Sequence, residues 1–452
     1  MSPVIPSLVS LVNLLYFIYI GIDNVTFLAF ATINVFITTW VMFNNERQPF
    51  TEIKIVNLFV YIFFVLANAV QYSRDTIVLT FRFFFTDGDY SQFQMVVCLI
   101  LLLLNGAYSI FHRTMLQKSR RKSRACGLIS SNPSQMRVKV NLLLVLSVVA
   151  FLIIFASRGF NPTRMLFRGI QGGFGDHASY STMQQTDQLL LNNFIRPIPF
   201  AVLIIFYLGN VAARYRKMAF ILMFLTVCPT GIARNAAAMY WLPVIVLYCG
   251  KYLRHHKFMW GMVFALFVLF PFMNIFRSWS GAINFEWSMD FFNDINFDAG
   301  QIFMATMKTD MITYGYQLLG PLLFFVPRAW WPGKPIGSGA VLVDSHHGSF
   351  NNVSMPYFGE GYVNFGFIGV LAFALFLSWI CAKFDVSYWQ KWRISKSYKI
   401  GYYLIFMGAL VFIMRGDLMS STAYTVGIMV SYTCCVIIGT NLKILPVQLK
   451  KR

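Results

Sequence analysis

The residues best suited to chemistry lie in one polar, glycine-rich stretch, 328–366, which is flanked by segments that are almost purely apolar. Within 33 positions it carries acids, bases and cations, namely Arg328, Lys334, Asp344, His346, His347 and Glu360. Group transfer uses such groups together, because a hydroxyl nucleophile needs a base and a charged leaving group needs cations. The alternative interpretation is a solvated loop outside the membrane.

The candidate catalytic residues are the two histidines and the two carboxylates of this stretch. His346 and His347 are candidates because histidine as a residue type suits the role of a general base. Asp344 offers a carboxylate, and so does Glu360. Glu360 begins a predicted helix, where the helix dipole favours an anion, so a capping or ion-pairing role is equally open. Asp176 and His177 offer the same chemistry in an earlier loop.

The elements that must position these groups are membrane helices. The chain has 452 residues, of which 57% are hydrophobic and only 12% are charged. Apolar runs of the length that crosses a bilayer recur throughout, which is typical of an all-α polytopic membrane protein. We expect one integral membrane domain over 1–452. The first apolar segment lacks a basic flank and a clear cleavage site, so it is predicted to be retained.

About twelve transmembrane helices are predicted from runs of mostly apolar residues. They are 7–20, 25–43, 53–70, 93–111, 140–157, 197–213, 218–232, 236–250, 258–276, 361–382, 400–414 and 418–439. The loops between them place 25 of the 37 lysines and arginines on one face, with only three of the 17 acids. The positive-inside rule makes that face cytoplasmic. The prediction is therefore a multi-pass membrane protein with both termini in the cytoplasm.

Three long loops fall on the opposite face, at 71–92, 158–196 and 277–360. Within the third, the apolar piece 311–326 is followed by Pro327 and predicts an interfacial or re-entrant helix. The outer face also collects cations that suit an anionic ligand, since guanidinium groups stay charged and donate bidentate hydrogen bonds. These candidate substrate-binding residues are Arg158, Arg164, Arg168, Arg234, Arg277, Arg328, Lys334 and Arg415. The alternative is that they reach lipid headgroups.

Several classes of function are disfavoured. The net charge of +20 follows the loop asymmetry, so it indicates topology and some attraction to anionic membrane lipid rather than nucleic acid binding. The seven cysteines show no CxxC or Cys/His spacing, which argues against disulfides and structural zinc. The GxxxxGK[ST] phosphate-binding motif is absent, which argues against ATP-driven pumping. No cofactor and no metal is predicted.

Four short patterns together resemble the Wzy-type O-antigen polymerase family. Arg-x10-Gly occurs in two outer loops, from Arg158 and from Arg328. VPRAWWPGKP at 326–335 is similar to a stretch of enterobacterial common-antigen polymerases, and PYFGEGYVNFGFIG at 356–369 is similar to a pattern of repeat-unit polymerases. TGIARNA at 230–236 resembles their Gly-x-Arg turn. The departure is that Tyr357 and Phe358 precede Gly359, where the family pattern has proline directly before Gly-Glu.

The resemblance implies a GT-C-like fold with large periplasmic loops and a metal-independent glycosyltransferase. Such enzymes polymerise repeat units of O-antigen or related surface polysaccharide, in lipopolysaccharide biosynthesis, at the periplasmic face. They transfer the nascent glycan from undecaprenyl diphosphate to the terminal sugar of an acceptor repeat unit. The implied partners are the lipid-linked donor and acceptor, membrane lipid and a chain-length regulator protein.

Two other functions stay open. An O-antigen ligase uses the same donor with a different acceptor, the lipid A core. A transporter of lipid-linked oligosaccharide is the alternative from another class, although transporters favour charged residues near the membrane midplane. The predicted helices have few internal charges. That favours chemistry at the outer boundary of the membrane.

Reporter fusions test the predicted topology. A reporter at Ser123 is expected on the cytoplasmic face and one at Ser338 on the opposite face, because they lie on loops of opposite charge balance. A cytoplasmic reporter at Ser338 would contradict the arrangement, since lipid-linked glycan would not reach the polar stretch.

Overall fold

The computed structural model describes residues 4–44, 48–125, 138–166, 185–265, 268, 289–348, 353, 355–393 and 397–440. Within these residues the chain is helical, with one isolated antiparallel bridge between Val138 and Thr440. The first helices are α1 Val4–Tyr19, α2 Val25–Phe43, α3 Glu52–Ser73, α4 Asp87–Ala125, α5 Val140–Ser157, α6 Pro162–Leu166, α7 Gln185–Leu190 and α8 Ile198–Leu208. They continue with α9 Ala213–Thr226, α10 Arg234–Cys249, α11 Lys257–Phe264, α12 Ala299–Lys308, α13 Leu319–Leu322, α14 Ser338–Ser345, α15 Tyr357–Ser387, α16 Lys399–Arg415 and α17 Leu418–Gly439.

The protein is a polytopic membrane protein built from helices. Seven helices in the described part of the chain are long and apolar enough to cross a membrane. They are Val25–Phe43, Glu52–Ser73, Asp87–Arg121, Val140–Ser157, Gln188–Leu208, Tyr357–Gln390 and Leu418–Gly439. At other predicted spans the helices α1, α9, α10 and α16 have only 14 to 17 residues. The number twelve therefore stays a prediction.

The bundle has two chemically different ends. The long helix α4 runs parallel to the second half of α15, because Ser378 Oγ donates to Leu104 O at 2.8 Å and Tyr108 OH donates to Asp385 Oδ2 at 2.9 Å. We call the end where α3 begins and α4 and α15 finish the basic end. The opposite end, where α3 finishes and α4 and α17 begin, is the loop end. The segments 74–86 and 289–348 pack there.

Helix α15 contains a sharp reversal. Phe365 has φ −146° and ψ 24°, and Gly366 has φ 61° and ψ −148°, so neither residue is helical. The positive φ at Gly366 is accessible to glycine at little cost. The two halves of α15 therefore point in different directions.

The first half of α15 folds back along the second half. Tyr357 OH donates to Phe373 O at 3.2 Å, and a Cβ on Gly361 would lie 2.9 Å from Gly369 O. The contacting residues lie at equal sequence distances before and after the reversal, as expected for two antiparallel halves. We call residues 357–373 the re-entrant hairpin. Its first half, residues 357–364, is buried in the helix bundle, where protein rather than lipid surrounds it.

The predicted helix over 311–326 was wrong. Only α13, Leu319–Leu322, is helical there. The reversal in α15 leaves the carbonyls of Val363 and Asn364 open, and they accept hydrogen bonds from Thr313 N at 2.7 Å and Gly315 N at 2.9 Å. These contacts hold the segment in turns, and the re-entrant element is the hairpin that follows.

Three charged residues at or near the ends of predicted spans are buried in the bundle. Glu52, Lys54 and Asp385 are 0%, 3% and 0% exposed. Asp385 accepts hydrogen bonds from Glu52 N at 3.0 Å, Tyr108 OH at 2.9 Å and Tyr403 OH at 3.1 Å. The sequence prediction missed this cluster because its residues lie at helix ends, where a polar residue reads as part of a loop.

Candidate functional site

The re-entrant hairpin carries Glu360 into the centre of the loop end. Glu360 is 2% exposed. Its Oε2 accepts a hydrogen bond from Ser338 Oγ at 2.7 Å, and its Oε1 accepts one from Leu418 N at 3.2 Å. The carboxyl of Asp417 lies within hydrogen-bonding range. Glu360 therefore joins the first turns of α14, α15 and α17, which favours a positioning role over direct contact with substrate.

Asp417 completes this junction from the side of α17. Its Oδ2 accepts from Ser420 N at 3.0 Å, which caps the helix. Its Oδ1 leaves no room for a side chain at Gly337, where a Cβ would lie 2.9 Å away. Neither Asp417 nor Ser338 was a candidate from the sequence. An aspartate directly before an apolar helix is an N-cap signal, and it could have identified Asp417.

Arg328 and Lys334 close a turn that leads directly into α14. The guanidinium of Arg328 donates to the carbonyls of Lys334 at 2.8 Å and Pro335 at 3.1 Å. The ammonium of Lys334 donates to the carbonyls of Phe324 at 2.7 Å and Val326 at 2.9 Å. Partial burial lowers the pKa of Lys334, and the charge of Arg328 lowers it further. We call Arg328 and Lys334 the cation pair.

The cation pair has surplus positive charge. In the part of the chain that the structure describes, its hydrogen-bond partners are carbonyl oxygens, and no carboxylate pairs with either side chain. A guanidinium has five N–H donors, so Arg328 keeps donors beyond the two it uses. Two like charges held together in this way favour an anionic ligand.

The turn of the cation pair packs against the Glu360 junction. A Cβ on Gly320 would lie 3.3 Å from Met419 Sδ and 3.6 Å from Pro335 Cβ, so one glycine touches both the turn and the first turn of α17. Beside the turn, Trp330 is 82% exposed, whereas Tyr357 and Tyr362 are buried. Only Trp330 among these aromatic residues is open to stack on a sugar.

Arg234 and Arg415 lie at the same end of an antiparallel helix pair. The backbone of Met239 in α10 packs directly on Gly408 in α16. Counting from this contact, Arg234 lies roughly 8 Å and Arg415 roughly 10 Å along the axis toward the loop end. Arg415 Nη2 also pairs with Asp298 Oδ1 at 3.4 Å. The structure thus brings these two candidate residues to the same side of the bundle.

Arg158 and Arg164 lie close to the turn that precedes Arg234. Thr230 Oγ1 donates to Leu166 O, and Gly231 packs on the backbone of Met165. The short helix α6, which contains Arg164, therefore contacts the turn that leads into Arg234. Two further candidates, Arg168 and Arg277, lie outside the described residues, as do Asp176 and His177.

The histidines lie at the other end of α14. The ring of His346 packs against Phe81 and Phe83, with ring centroids 5.0 and 5.4 Å apart. Its Nδ1 lies 2.9 Å from Leu342 O. Nδ1 also lies 3.0 Å from Ser345 Oγ, which donates its own proton to Leu342 O. Both neighbours are therefore acceptors, which fits the tautomer with the proton on Nδ1 and Nε2 as the basic nitrogen.

His346, His347 and Asp344 do not join Glu360 in one cluster. Ser338, which binds Glu360, and His346 lie at opposite ends of α14, roughly 12 Å apart along its axis. Asp344 and His347 are exposed. The four catalytic candidates thus divide into a buried junction at Glu360 and an accessible group around His346. Within the described residues, no group of three or more His, Cys, Asp or Glu side chains could hold a metal ion.

Asp298 is a buried carboxyl that the sequence prediction did not select, and it gives a pH-dependent prediction. Burial raises the pKa of Asp298 from 3.8 to about 6, although the adjacent Arg415 opposes that shift. The folded state therefore binds a proton more tightly than the unfolded state between about pH 4 and 6. The free energy of unfolding is expected to fall by up to about 3 kcal/mol as pH rises through that window.

Thermal unfolding in detergent at pH 4.5 and pH 7 measures this effect. Asp298→Asn is expected to remove that fall, whereas Asp75→Asn, at an exposed site, is the matched control and should keep it. An unchanged pH dependence in Asp298→Asn would contradict the assignment.

Comparisons with protein-family models, with curated proteins and with solved structures gave no match to this chain.

Proposed function

We propose that the protein is a polysaccharide polymerase of the bacterial inner membrane, with a GT-C-like fold and its active site facing the periplasm. It would transfer a nascent glycan from undecaprenyl diphosphate to the terminal sugar of a lipid-linked repeat unit. The observation that carries the proposal is the cation pair, because Arg328 and Lys334 are held side by side by carbonyl oxygens and retain a net positive charge. A diphosphate leaving group matches that charge.

The reaction forms a bond between an acceptor hydroxyl oxygen and the anomeric carbon of the donor. The bond from that carbon to the diphosphate oxygen breaks, and its electron pair leaves with the diphosphate. The cation pair would stabilise the charge that develops there. The hydroxyl proton needs a base, and His346 has its Nδ1 directed to a carbonyl, which leaves Nε2 as the acceptor. Glu360 would act as a positioning residue that orders α14 and α17.

Purified protein in lipid or detergent provides the first test, with undecaprenyl-diphosphate repeat units as donor and acceptor. Polymer is expected both with and without EDTA, because the cation pair and the arginines around it would supply the positive charge that a metal ion supplies elsewhere. Loss of polymer in EDTA, restored by magnesium or manganese, would contradict metal independence. Absence of polymer under both conditions would contradict the proposed function.

Deletion of the gene distinguishes the rival functions through the surface glycan seen on a gel. Single repeat units indicate a polymerase, and free polymer without attachment indicates a ligase. Complete loss with precursor retained inside indicates a transporter. The buried charges Glu52 and Asp385 do not favour transport, because they lie in the first turn of α3 and near the end of α15 rather than at the midplane.

A further inference from the structure

A cavity of about 850 Å³ lies between α2 and α4, at the basic end and away from the proposed active site. Its volume is in the range of small-molecule and cofactor sites. Part of its lining is apolar and includes Phe36, Leu101 and Leu102, while another part is cationic and includes Lys54 and Arg113. The proposed glycan transfer uses none of these residues.

The polarity of the cavity changes in one direction along the bundle. On α4 the lining starts at Leu101 and Leu102 and ends at His112 and Arg113. Leu101 and Arg113 are separated by roughly 18 Å along the helix axis. That distance is close to half the thickness of the hydrocarbon core, which is about 30 Å in total. The gradient matches an amphiphile with its chain toward the midplane and its head toward the basic end.

The cationic part of the cavity contains buried polar atoms without partners. Thr51 Oγ1 and His112 Nε2 are buried and make no hydrogen bond within the described part of the chain. Lys54 is 3% exposed and donates to Gln48 O at 2.9 Å, although an ammonium has three donors. Unsatisfied buried polar groups are costly, and the Thr51 hydroxyl and the Lys54 ammonium can both donate, so this arrangement favours a ligand that supplies acceptor oxygens.

The charge of the lining specifies the kind of ligand. Lys54 and Arg113 line the cavity, and none of its described lining residues is an aspartate or a glutamate. The nearby Asp385 lies behind the lining residue Tyr108, whose hydroxyl donates to it at 2.9 Å. The cavity also opens toward lipid, because Trp40 is 37% and Leu102 is 57% exposed on the outer surface of the bundle. A free inorganic anion would leave the apolar part empty, whereas a phospholipid would fill both parts.

We propose that this cavity binds a phospholipid with an anionic headgroup, drawn from the leaflet at the basic end. The phosphate oxygens face Lys54, His112 and Arg113, and one acyl chain follows the apolar groove between α2 and α4. This inference does not rest on the proposed glycan transfer, so either can fail without the other.

Quenching of Trp40 fluorescence tests the site, because this side chain lines the cavity. The full chain is reconstituted in nanodiscs of phosphatidylcholine with a small fraction of brominated phosphatidylglycerol or brominated phosphatidylcholine. The contribution of Trp40 is the difference between the wild type and Trp40→Phe. Stronger quenching by brominated phosphatidylglycerol is expected. Equal quenching by the two lipids would overturn the proposal.

Substitutions locate the headgroup. Arg113→Gln is expected to weaken the preference for phosphatidylglycerol roughly five-fold, since one basic residue near an anionic surface contributes on the order of 1 kcal/mol. Arg120→Gln is the control, because it removes an exposed charge from the same helix outside the cavity. An equal loss in both variants would show general attraction to the surface and overturn the site.

Inorganic phosphate distinguishes a lipid from a free anion. If added phosphate leaves the Trp40 signal unchanged, the lipid assignment is supported. If it abolishes quenching by brominated phosphatidylglycerol at constant ionic strength, the site binds free phosphate and the lipid assignment is overturned.

Discussion

An alanine at Gly369 is expected to destabilise the protein by about 3 kcal/mol and to abolish transfer activity, because it overpacks a buried backbone contact. A Cβ at this position would overlap the carbonyl of Gly361 across the re-entrant hairpin. The hairpin halves would have to separate, which would withdraw Glu360 from Ser338 and Leu418. Thermal unfolding in detergent measures the stability, and polymer formation measures the activity.

Gly261→Ala is the matched control for this prediction. Gly261 also lies in a helix, α11, but a Cβ there meets nothing within 4 Å. Alanine is expected to be neutral or slightly stabilising at that site, since it favours helix more than glycine does. Wild-type stability in Gly369→Ala would show that the two halves of α15 do not pack as an antiparallel pair.

The second large effect is expected at Arg328. Arg328→Lys is expected to reduce transfer activity at least about tenfold, because an ammonium cannot reproduce a planar fork that binds two acceptors and still offers donors to a diphosphate. Arg328 bridges the carbonyls of Lys334 and Pro335. Arg158→Lys is expected to act in the same direction. The measurement is the rate of polymer formation at saturating and limiting donor.

A measurement of stability and a control variant far from the site distinguish a loss of substrate binding from a loss of folding. Arg214→Lys serves as control, because the exposed Arg214 lies over the ring of Tyr215 at the basic end, with 4.6 Å from Cζ to the ring centroid. It should keep full activity. Arg328→Lys should unfold at a temperature close to that of the wild type. Wild-type activity in both Arg328→Lys and Arg158→Lys would remove the bidentate diphosphate site.

Sequence alone determined the elements that depend on length and composition. The predicted spans 25–43, 140–157 and 418–439 coincide with α2, α5 and α17. These boundaries depend on the local sequence. Each apolar run is long enough to cross a bilayer and is bounded by polar residues, such as the caps Asn24 and Asp417. Several site candidates were also found locally, because the cations and acids of 328–366 are conspicuous in an apolar chain.

Tertiary structure decided which of those candidates meet. Glu360 finds its partners at Ser338 and Leu418, which are 22 and 58 positions away, and no local pattern specifies such pairings. The same applies to the burial of Asp385, whose partner Glu52 is 333 positions distant. A polar residue in the sequence looks solvated, and only the packed bundle shows whether it faces water or closes a junction. The re-entrant hairpin was also decided by tertiary structure, because its reversal depends on the contact between Gly361 and Gly369 as well as on the backbone of Gly366.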